Sequence, residues 1–291
     1  IMLGFFFFLK DGGYLKANWE IYETKEQLTR ISDENNIKVI FFDGRGGPPA
    51  RGGGKTHDFY ASQGKTIANN KIELTIQGQT ITSVFGNKDQ AKYNFEQLLT
   101  AGIENDVFKN SKKDLTVKER QLIEELADIS FKKYSDLKAH PMFVPYLQEM
   151  STLEYYGRTN IGSRPSKRGG TNELKFEDLR AIPFVGSWSQ LKQNVPGFFG
   201  FGFALNELKN QGRFEEVKSL YQGSDFFKTL VLNSMMSMNK SYFPLTYYMK
   251  NNRKFGSFWN ILFDEFELSK VLMLELTGFQ MLMEEEPLSR K

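Results

Sequence analysis

The sequence of 291 residues contains no cysteine, so disulfide bonds and thiolate metal sites are excluded. Long apolar runs are absent as well. Stretches such as Phe5–Leu9 are far shorter than the ~20 residues that a membrane-spanning helix needs. No basic segment followed by an apolar stretch, the pattern of a signal peptide, is present. We therefore predict a protein without a membrane segment that is located in the cytoplasm.

An excess of charge of one sign is also missing. The chain has 38 Lys and Arg against 35 Asp and Glu, which gives a formal net charge of +3. This excess is too small to predict nucleic acid or an anionic membrane as a partner. What the chain does have is aromatic residues, including 27 phenylalanines, in an otherwise globular composition. Aromatic packing should dominate the interior.

The first fifty residues have the pattern of a β-α-β unit. The apolar stretch Ile1–Leu9 predicts a strand buried on both faces, and residues 14–36 have the apolar spacing of an amphipathic helix. A second strand is predicted at Ile37–Phe42, and it leads into the glycine-rich segment Gly44–Gly54. Loops that follow such strands are where α/β barrels place their chemistry.

The rest of the chain is mostly helical in pattern. Alternating residues around Gln77-Gly78-Gln79 predict a β-hairpin over 71–85, and residues 179–186 predict a further strand. We expect an α/β region over 1–187 and a helical region over 188–291. Apolar periodicity predicts helices near 88–103, 114–138, 188–210, 212–222, 224–250 and 256–284.

The segment Gly44–Gly54 contains six glycines in eleven residues. Glycine allows positive φ and close approach of a ligand to the backbone, and successive exposed N–H groups can bind an anion. Arg45, Arg51 and Lys55 add positive charge, and arginine is suited to bidentate contacts with phosphate or carboxylate. The segment therefore predicts a site for a small oxyanion.

Three other interpretations of this segment remain. It could be a flexible linker, although predicted elements adjoin it closely. It could be a nucleotide-binding P-loop, because Gly54-Lys55-Thr56 ends like one, but Pro49 stands where that motif needs glycine. Its two Arg-Gly-Gly triplets also occur in RNA-binding tails, although those are long disordered repeats.

The loop Gly-Arg-Gly-Gly-x-x-x-Arg-Gly-Gly-Gly-x-Thr-His, residues 44–57, resembles the active-site loop of phosphoenolpyruvate carboxylases. Other segments resemble further blocks of that family in the same order, so that the resemblance covers nearly the whole chain. These segments are Met2–Phe5, Lys10–Gly13, Thr75–Gln79, Phe143–Tyr146, Gly162–Arg168, Leu179–Phe184, Trp188–Gln190 and Phe226–Phe227.

The resemblance implies an enzyme that condenses phosphoenolpyruvate with bicarbonate to form oxaloacetate and phosphate, with Mg²⁺ or Mn²⁺ as cofactor. This reaction replenishes the tricarboxylic acid cycle. The family fold is an eight-stranded barrel among many helices, assembled as a tetramer. For this chain the resemblance implies an α/β fold, with a partial TIM-like barrel embedded in a predominantly α-helical C-terminal region. A dicarboxylate effector, aspartate or malate, is a further implied partner.

The resemblance also assigns catalytic roles. Arg45 and Arg180 match residues that grip the phosphate and carboxylate of phosphoenolpyruvate. Arg51 matches the loop arginine needed for the carboxylation half of the reaction. Lys10 matches a lysine placed for bicarbonate. Such fixed cations suit a reaction that moves negative charge between phosphate, enolate and carboxylate oxygens.

Binding roles follow in the same way. Gly46 and Gly47 match substrate-binding positions, and Arg164 lies in a second basic loop expected to border the site. Arg51 is also a candidate contact for the dicarboxylate effector. Lys240 matches a lysine of the family's feedback site for aspartate or malate.

The sequence departs from the family pattern at two positions. Phe7 stands where the family has an aspartate that ligates the metal, and a phenyl ring cannot coordinate Mg²⁺. Asp43 stands where many members have histidine. The histidines His57 and His140 do not match the family's catalytic histidine.

Both ends of the chain look cut, so we expect an internal fragment of the C-terminal half that binds no metal and is inactive alone. A non-catalytic module that binds an anion or metabolite is the alternative hypothesis. A P-loop nucleotide-binding protein is a more distant third.

Overall fold

A computed structural model describes residues 1–69, 71–75, 79–108, 114–156 and 175–286. Three short strands in this part of the chain form one parallel sheet in the order β1-β2-β3. The strands are β1 (Met2–Leu3), β2 (Phe41–Asp43) and β3 (Ile72–Leu74). Because the strands are parallel, the residues that follow each of them meet at one edge of the sheet. The chain is therefore of the α/β class, with helices in large excess.

Helices account for most of the described residues. None of these helices is long and apolar enough to cross a membrane. They are α1 (Phe5–Gly12), α2 (Tyr14–Glu34), α3 (Thr56–Ala61), α4 (Gln79–Phe85), α5 (Lys88–Val107), α6 (Val117–Ala139), α7 (Phe143–Met150), α8 (Leu153–Tyr156), α9 (Ala181–Gln190), α10 (Phe201–Asn210), α11 (Phe214–Gly223), α12 (Asp225–Asn239) and α13 (Gly256–Thr277). Shorter 3₁₀ turns cover Pro49–Arg51, Phe176–Asp178, Val195–Gly197 and Phe243–Met249.

The helices pack extensively on one another. Helix α2 packs against α1 and α6, while α10 packs against α6 and α13. The core between them is rich in aromatic side chains, as the composition predicted, and Trp19, Trp188 and Trp259 are fully buried in it. Strands β1 and β2 pair side by side, which fixes where the loop that follows β2 begins.

The strand predicted over Ile1–Leu9 is wrong beyond Leu3. The chain forms a strand only at Met2–Leu3, and helix α1 begins at Phe5. Periodicity cannot distinguish a buried strand from a buried helix in a short apolar run. The partner strand β2 has only three residues, so it could not pair with a nine-residue strand.

The hairpin predicted over 71–85 is also wrong. Its first arm is β3, which pairs in parallel with β2 rather than with residues 80–85. The second arm belongs to helix α4, which packs against α5 and brings the Phe85 and Phe95 rings to 5.1 Å. Tertiary packing therefore overrides the β propensity of this segment.

The strand predicted over 179–186 is a helix. Pro183 occupies the third position of α9, where a missing N–H costs no helical hydrogen bond. Phe184 and Trp188, one helical turn apart, are both fully buried. The strands predicted over 1–9 and 37–42 are thus reduced to Met2–Leu3 and Phe41–Asp43, and this one is absent from the described structure.

Three predicted helices are shorter than expected because turns interrupt them. The helix predicted over 188–210 is split by a 3₁₀ turn between Asn194 and Gly200, both of which have positive φ. The helix over 224–250 ends at Asn239, before a 3₁₀ turn with proline in its first turn. The helix over 256–284 ends at Thr277 because Gly278 takes a left-handed conformation. The helices predicted at 14–36, 88–103, 114–138 and 212–222 are confirmed within a few residues.

A buried carboxylate joins two of the helices. Glu265 of α13 accepts hydrogen bonds from the backbone N–H groups of Gly200, at 3.0 Å, and Phe203, at 3.1 Å. It therefore satisfies N–H groups at the start of α10 that have no partner within that helix. Burial nevertheless raises the pKa of Glu265 to about 7.

Glu265→Gln should make the fold less dependent on pH. Because the pKa of Glu265 is raised on folding, its contribution to stability is fully present below pH 4.5 and is lost as pH rises towards 7. Glutamine keeps the acceptor oxygen without the charge. We therefore expect the free energy of unfolding of Glu265→Gln, relative to the unmodified chain, to increase by on the order of 2 kcal/mol between pH 5 and pH 8. Urea unfolding at several pH values measures this difference. Glu267→Gln, on the same helix but partly exposed, is the control, and an equal pH response of the two variants would contradict the assignment.

Candidate functional site

The glycine-arginine loop is a folded structure in its own right. It leaves β2 after Asp43 and turns back on itself, with the Gly46 N–H donating to the Arg51 carbonyl at 2.7 Å. The Gly53 N–H donates to the Pro48 carbonyl at 2.9 Å. These cross-loop hydrogen bonds oppose the interpretation of the segment as a flexible linker.

Two of the glycines in this loop are required by close packing. Gly52 has φ +77°, and a Cβ atom there would lie 2.7 Å from the Cβ of Phe5 in α1. A Cβ atom on Gly53 would overlap the carbonyl oxygen of Gly47 on the facing part of the loop. The loop therefore needs residues without side chains to fold against both α1 and itself.

Arg45 is the functional residue that this packing places most firmly. Its side chain is only 7% exposed, and its guanidinium carbon lies 3.8 Å from the centre of the Phe59 ring. Its Nε donates a hydrogen bond to the carbonyl oxygen of Gly52. Its Nη2 is buried and has no hydrogen-bond partner in the described part of the chain. A buried guanidinium nitrogen without a partner is costly, so its presence indicates a place for an acceptor.

Arg45 lines a cavity of about 160 Å³ at the edge of the sheet where β2 and β3 end. Thr75, the residue after β3, also lines it, and the Thr75 hydroxyl is buried without a hydrogen-bond partner among the described residues. The described residues that line the cavity are Arg45, Gly46, Gly47, Gly53, Gly54, Thr56, Leu74, Thr75, Val84, Phe85, Asn94 and Leu98. A fixed cation, a hydroxyl donor and glycine backbone together suit a small anion.

A buried ion pair lies directly behind Arg45. The Nζ of Lys25 is 2.8 Å from Oδ2 of Asp43, and the Tyr60 hydroxyl donates to the same oxygen at 2.9 Å. The side chains of Lys25 and Asp43 are 1% and 0% exposed. Burial lowers the pKa of Lys25, and the adjacent Asp43 carboxylate opposes this shift. The same burial raises the pKa of Tyr60.

Sequence reasoning missed Lys25 and Tyr60. A signal for Lys25 does exist in the sequence, because it falls on the buried face of α2 at helical spacing from Tyr22 and Thr29. A lysine at such a position must be paired or neutral. No comparable signal marks Tyr60, which follows another aromatic residue, Phe59, within α3.

The sequence predicted that Lys10 would lie in the same site, but Lys10 does not line this cavity. Its Nζ donates to the carbonyl oxygen of Phe176 at 3.2 Å and lies 4.1 Å from the centre of the Phe176 ring. It also pairs with Asp11 at 3.3 Å. Lys10 thus joins α1 to the 3₁₀ turn that precedes α9.

Arg51 and Arg180 also lie outside the residues that line the cavity. Arg180 is the residue before the first turn of α9, and its Nε is buried without a hydrogen-bond partner among the described residues. Helix α9 packs against the 3₁₀ turn that contains Arg51. The structure therefore brings Arg45 together with Gly46 and Gly47, and places Arg180 in a helix instead of at the end of a barrel strand.

The other predicted site residues are distributed elsewhere. Lys240 lies exposed immediately after α12. Arg164 falls outside the described residues, as does the side chain of Phe7, although the backbone of Phe7 belongs to α1. Among the described residues there is no group of three or more His, Asp or Glu that could hold a metal ion. These residues do not fit a magnesium or manganese centre.

Gly53→Ala should disrupt the loop. Its Cβ would meet backbone atoms that cannot move aside, so we expect a loss of about 1–3 kcal/mol of stability and weaker anion binding. Gly102→Ala, in helix α5, is the control, because nothing lies within 4 Å of its added Cβ. That variant should gain about 0.5–1 kcal/mol, since alanine is the better helix former. Thermal unfolding compares the two, and a Gly53→Ala variant as stable as the unmodified chain would contradict the loop geometry.

Comparison with known proteins agrees with the geometry of the loop. Residues 1–291 match the family model described as phosphoenolpyruvate carboxylase. A phosphoenolpyruvate carboxylase from Corynebacterium efficiens is 34% identical to this chain, over 99% of the chain and 32% of the relative. The chain thus spans about a third of the length of this curated relative. It belongs to the phosphoenolpyruvate carboxylase family.

Proposed function

We propose that this chain provides the part of a phosphoenolpyruvate carboxylase that binds the phosphorylated substrate. The complete enzyme converts phosphoenolpyruvate and bicarbonate to oxaloacetate and phosphate. The observation that carries the proposal is the buried Arg45, which lines a cavity at the ends of β2 and β3 and whose Nη2 has no hydrogen-bond partner among the described residues. The family match over the whole chain supports the choice of substrate.

Arg45 would act as a fixed cation for an oxygen atom of the substrate. Its guanidinium is already desolvated and held on the Phe59 ring, so little reorganisation is needed when charge develops nearby. An ionic interaction in such a buried site is stronger than one in water. The Thr75 hydroxyl would donate a hydrogen bond to the same ligand. Together they would bind the substrate and stabilise the negative charge that moves between its oxygens during the reaction.

The family suggests further features of the longer protein. In this proposal β1, β2 and β3 belong to a barrel whose other strands come from the remainder of the polypeptide. Arg51 and Arg180 would then complete the grip on the substrate, and the packing of α9 on the turn at Arg51 supports their proximity. Lys10 would serve bicarbonate. Magnesium or manganese would be held by groups outside the described residues.

Regulation and assembly are proposed by the same family argument. Arg51 and Lys240 would contact an aspartate or malate effector, with Arg164 bordering the substrate site. The helical region after residue 188 would contribute to a tetramer in the cytoplasm. A non-catalytic anion-binding module is not favoured over the enzyme, because the whole chain matches the carboxylase family.

Removal of the Arg45 cation should weaken phosphoenolpyruvate binding. We expect Arg45→Met to lower the affinity by at least about tenfold, because a charged hydrogen bond contributes roughly 1.5–3 kcal/mol. Isothermal titration calorimetry measures the dissociation constant. Arg213→Met is the matched control, because Arg213 pairs at the surface with Glu125 and Glu216. Equal affinities for all three proteins would contradict a role of Arg45 in substrate binding.

The 291-residue chain alone should not turn over substrate, because its described residues hold no metal-ligand group and it spans 32% of its relative. A coupled assay with malate dehydrogenase and NADH measures oxaloacetate formation. We expect no bicarbonate-dependent oxidation of NADH above the background without protein. Bicarbonate-dependent oxidation that scales with the amount of chain would show that the expectation is wrong.

A further inference from the structure

The Asp43 carboxylate belongs to the candidate site, but Asp43 does not line the cavity. Asp43 is the last residue of β2, and its backbone carbonyl accepts the N–H groups of Arg45, at 2.9 Å, and Thr75, at 3.2 Å. Its side chain points to Lys25 and Tyr60. Asp43 therefore contacts Arg45 and Thr75, which line the anion cavity, through its backbone, and the buried Lys25 through its side chain.

The cluster of Lys25, Asp43 and Arg45 carries one more positive than negative charge. Lys25 and Arg45 are cations, Asp43 is an anion, and all three are at least 93% buried. The described contacts of Asp43 use the ammonium group of Lys25 and not the guanidinium group of Arg45. Among the described residues, no carboxylate therefore forms an ion pair with Arg45.

Arg45 is close enough to compete for Asp43 if Lys25 were absent. The two residues are separated by one position in the chain, and the guanidinium carbon of Arg45 lies 5.2 Å from the centre of the Tyr60 ring, whose hydroxyl bonds to Asp43. A buried carboxylate without a partner is strongly unfavourable, so it would attract the nearest available cation. That cation would be Arg45, and its guanidinium would then be drawn away from the cavity.

We propose that Lys25 is a positioning residue for substrate binding: it neutralises Asp43 and so keeps the Arg45 guanidinium available to the anionic ligand in the cavity. This inference rests on the proposed function, because it takes the ligand of Arg45 to be phosphoenolpyruvate. It adds a specific role for a residue of α2 that does not itself touch the cavity.

A merely structural ion pair predicts different behaviour. Buried ion pairs contribute little net stability, because desolvation offsets their attraction, and loss of either partner destabilises the fold. If Lys25 acted only on stability, the single variants would unfold more readily, but their folded fraction would bind anions as tightly as the unmodified chain. If Lys25 acts on Arg45, every folded variant that leaves Asp43 charged without the Lys25 cation should lose affinity, and the double variant should not.

Three variants of the 291-residue chain separate these cases: Lys25→Met, Lys25→Gln, and the double variant Lys25→Met/Asp43→Asn. Calorimetry with phosphoenolpyruvate, and separately with inorganic phosphate, measures the dissociation constant. We expect both single variants to bind at least about tenfold more weakly than the unmodified chain. The double variant should recover to within about threefold of it, because its only remaining charge in the cluster is Arg45. Lys209→Met, which breaks a surface pair with Glu275, should bind normally.

The possible outcomes are distinct. Unchanged affinity in the single variants, or a double variant no better than Lys25→Met, overturns the positioning role while leaving the proposed function intact. If Lys25→Met does not fold by circular dichroism, Lys25→Gln, which can still donate a hydrogen bond to Asp43, decides the question. Binding of phosphate but not phosphoenolpyruvate, with the same dependence on Lys25, supports the positioning role and contradicts the substrate. Absence of binding of either anion to the unmodified chain overturns both.

Discussion

The local structure of the candidate site depends on the contact between the Arg45 guanidinium and the face of the Phe59 ring. This contact, at 3.8 Å, holds a positive charge in a buried position where one guanidinium nitrogen has no hydrogen-bond partner in the described part of the chain. A cation–π contact at a desolvated site contributes about 2 kcal/mol, which is smaller than the cost of burying a charge without a counterion. The rest of the fold must therefore supply the balance.

The surrounding elements can be understood from this requirement. Glycines at positions 52 and 53 let the loop fold tightly enough to bring the Gly52 carbonyl to Arg45. Helix α1 packs Phe5 against the same turn, and Phe5 contacts the Phe59 ring at 5.8 Å. The parallel pairing of β2 and β3 then sets Thr75 beside Arg45. The site is therefore formed by the ends of neighbouring parallel strands, as in other α/β proteins.

The sequence predicted the family and several of the helices, but not the extent of the strands around the loop. Six glycines with flanking arginines indicated an oxyanion site, because glycine and guanidinium groups act locally. The secondary structure of Phe5–Leu9 and of residues 179–186 could not be predicted, because a short apolar run is compatible with a strand or a helix until its partner is known. Only the structure shows that β2 is too short to pair with a longer first strand, and that Pro183 lies in the first turn of a helix.

The role of Asp43 shows the same limit. From the sequence, an aspartate two residues before Arg45 could either orient the arginine or compete with the substrate. The answer depends on Lys25, which lies 18 residues earlier in the chain and meets Asp43 only because the fold brings α2 next to the end of β2. The position of Lys25 on the buried face of α2 could have marked it as unusual. The identity of its partner, however, is a property of the tertiary structure.

A crystal structure of the chain soaked with phosphoenolpyruvate tests the central claim most directly. We expect an oxygen atom of phosphoenolpyruvate within about 3 Å of Nη2 of Arg45, while Lys25 stays paired with Asp43. Ligand bound elsewhere, or a guanidinium of Arg45 turned onto the Asp43 carboxylate, would contradict it.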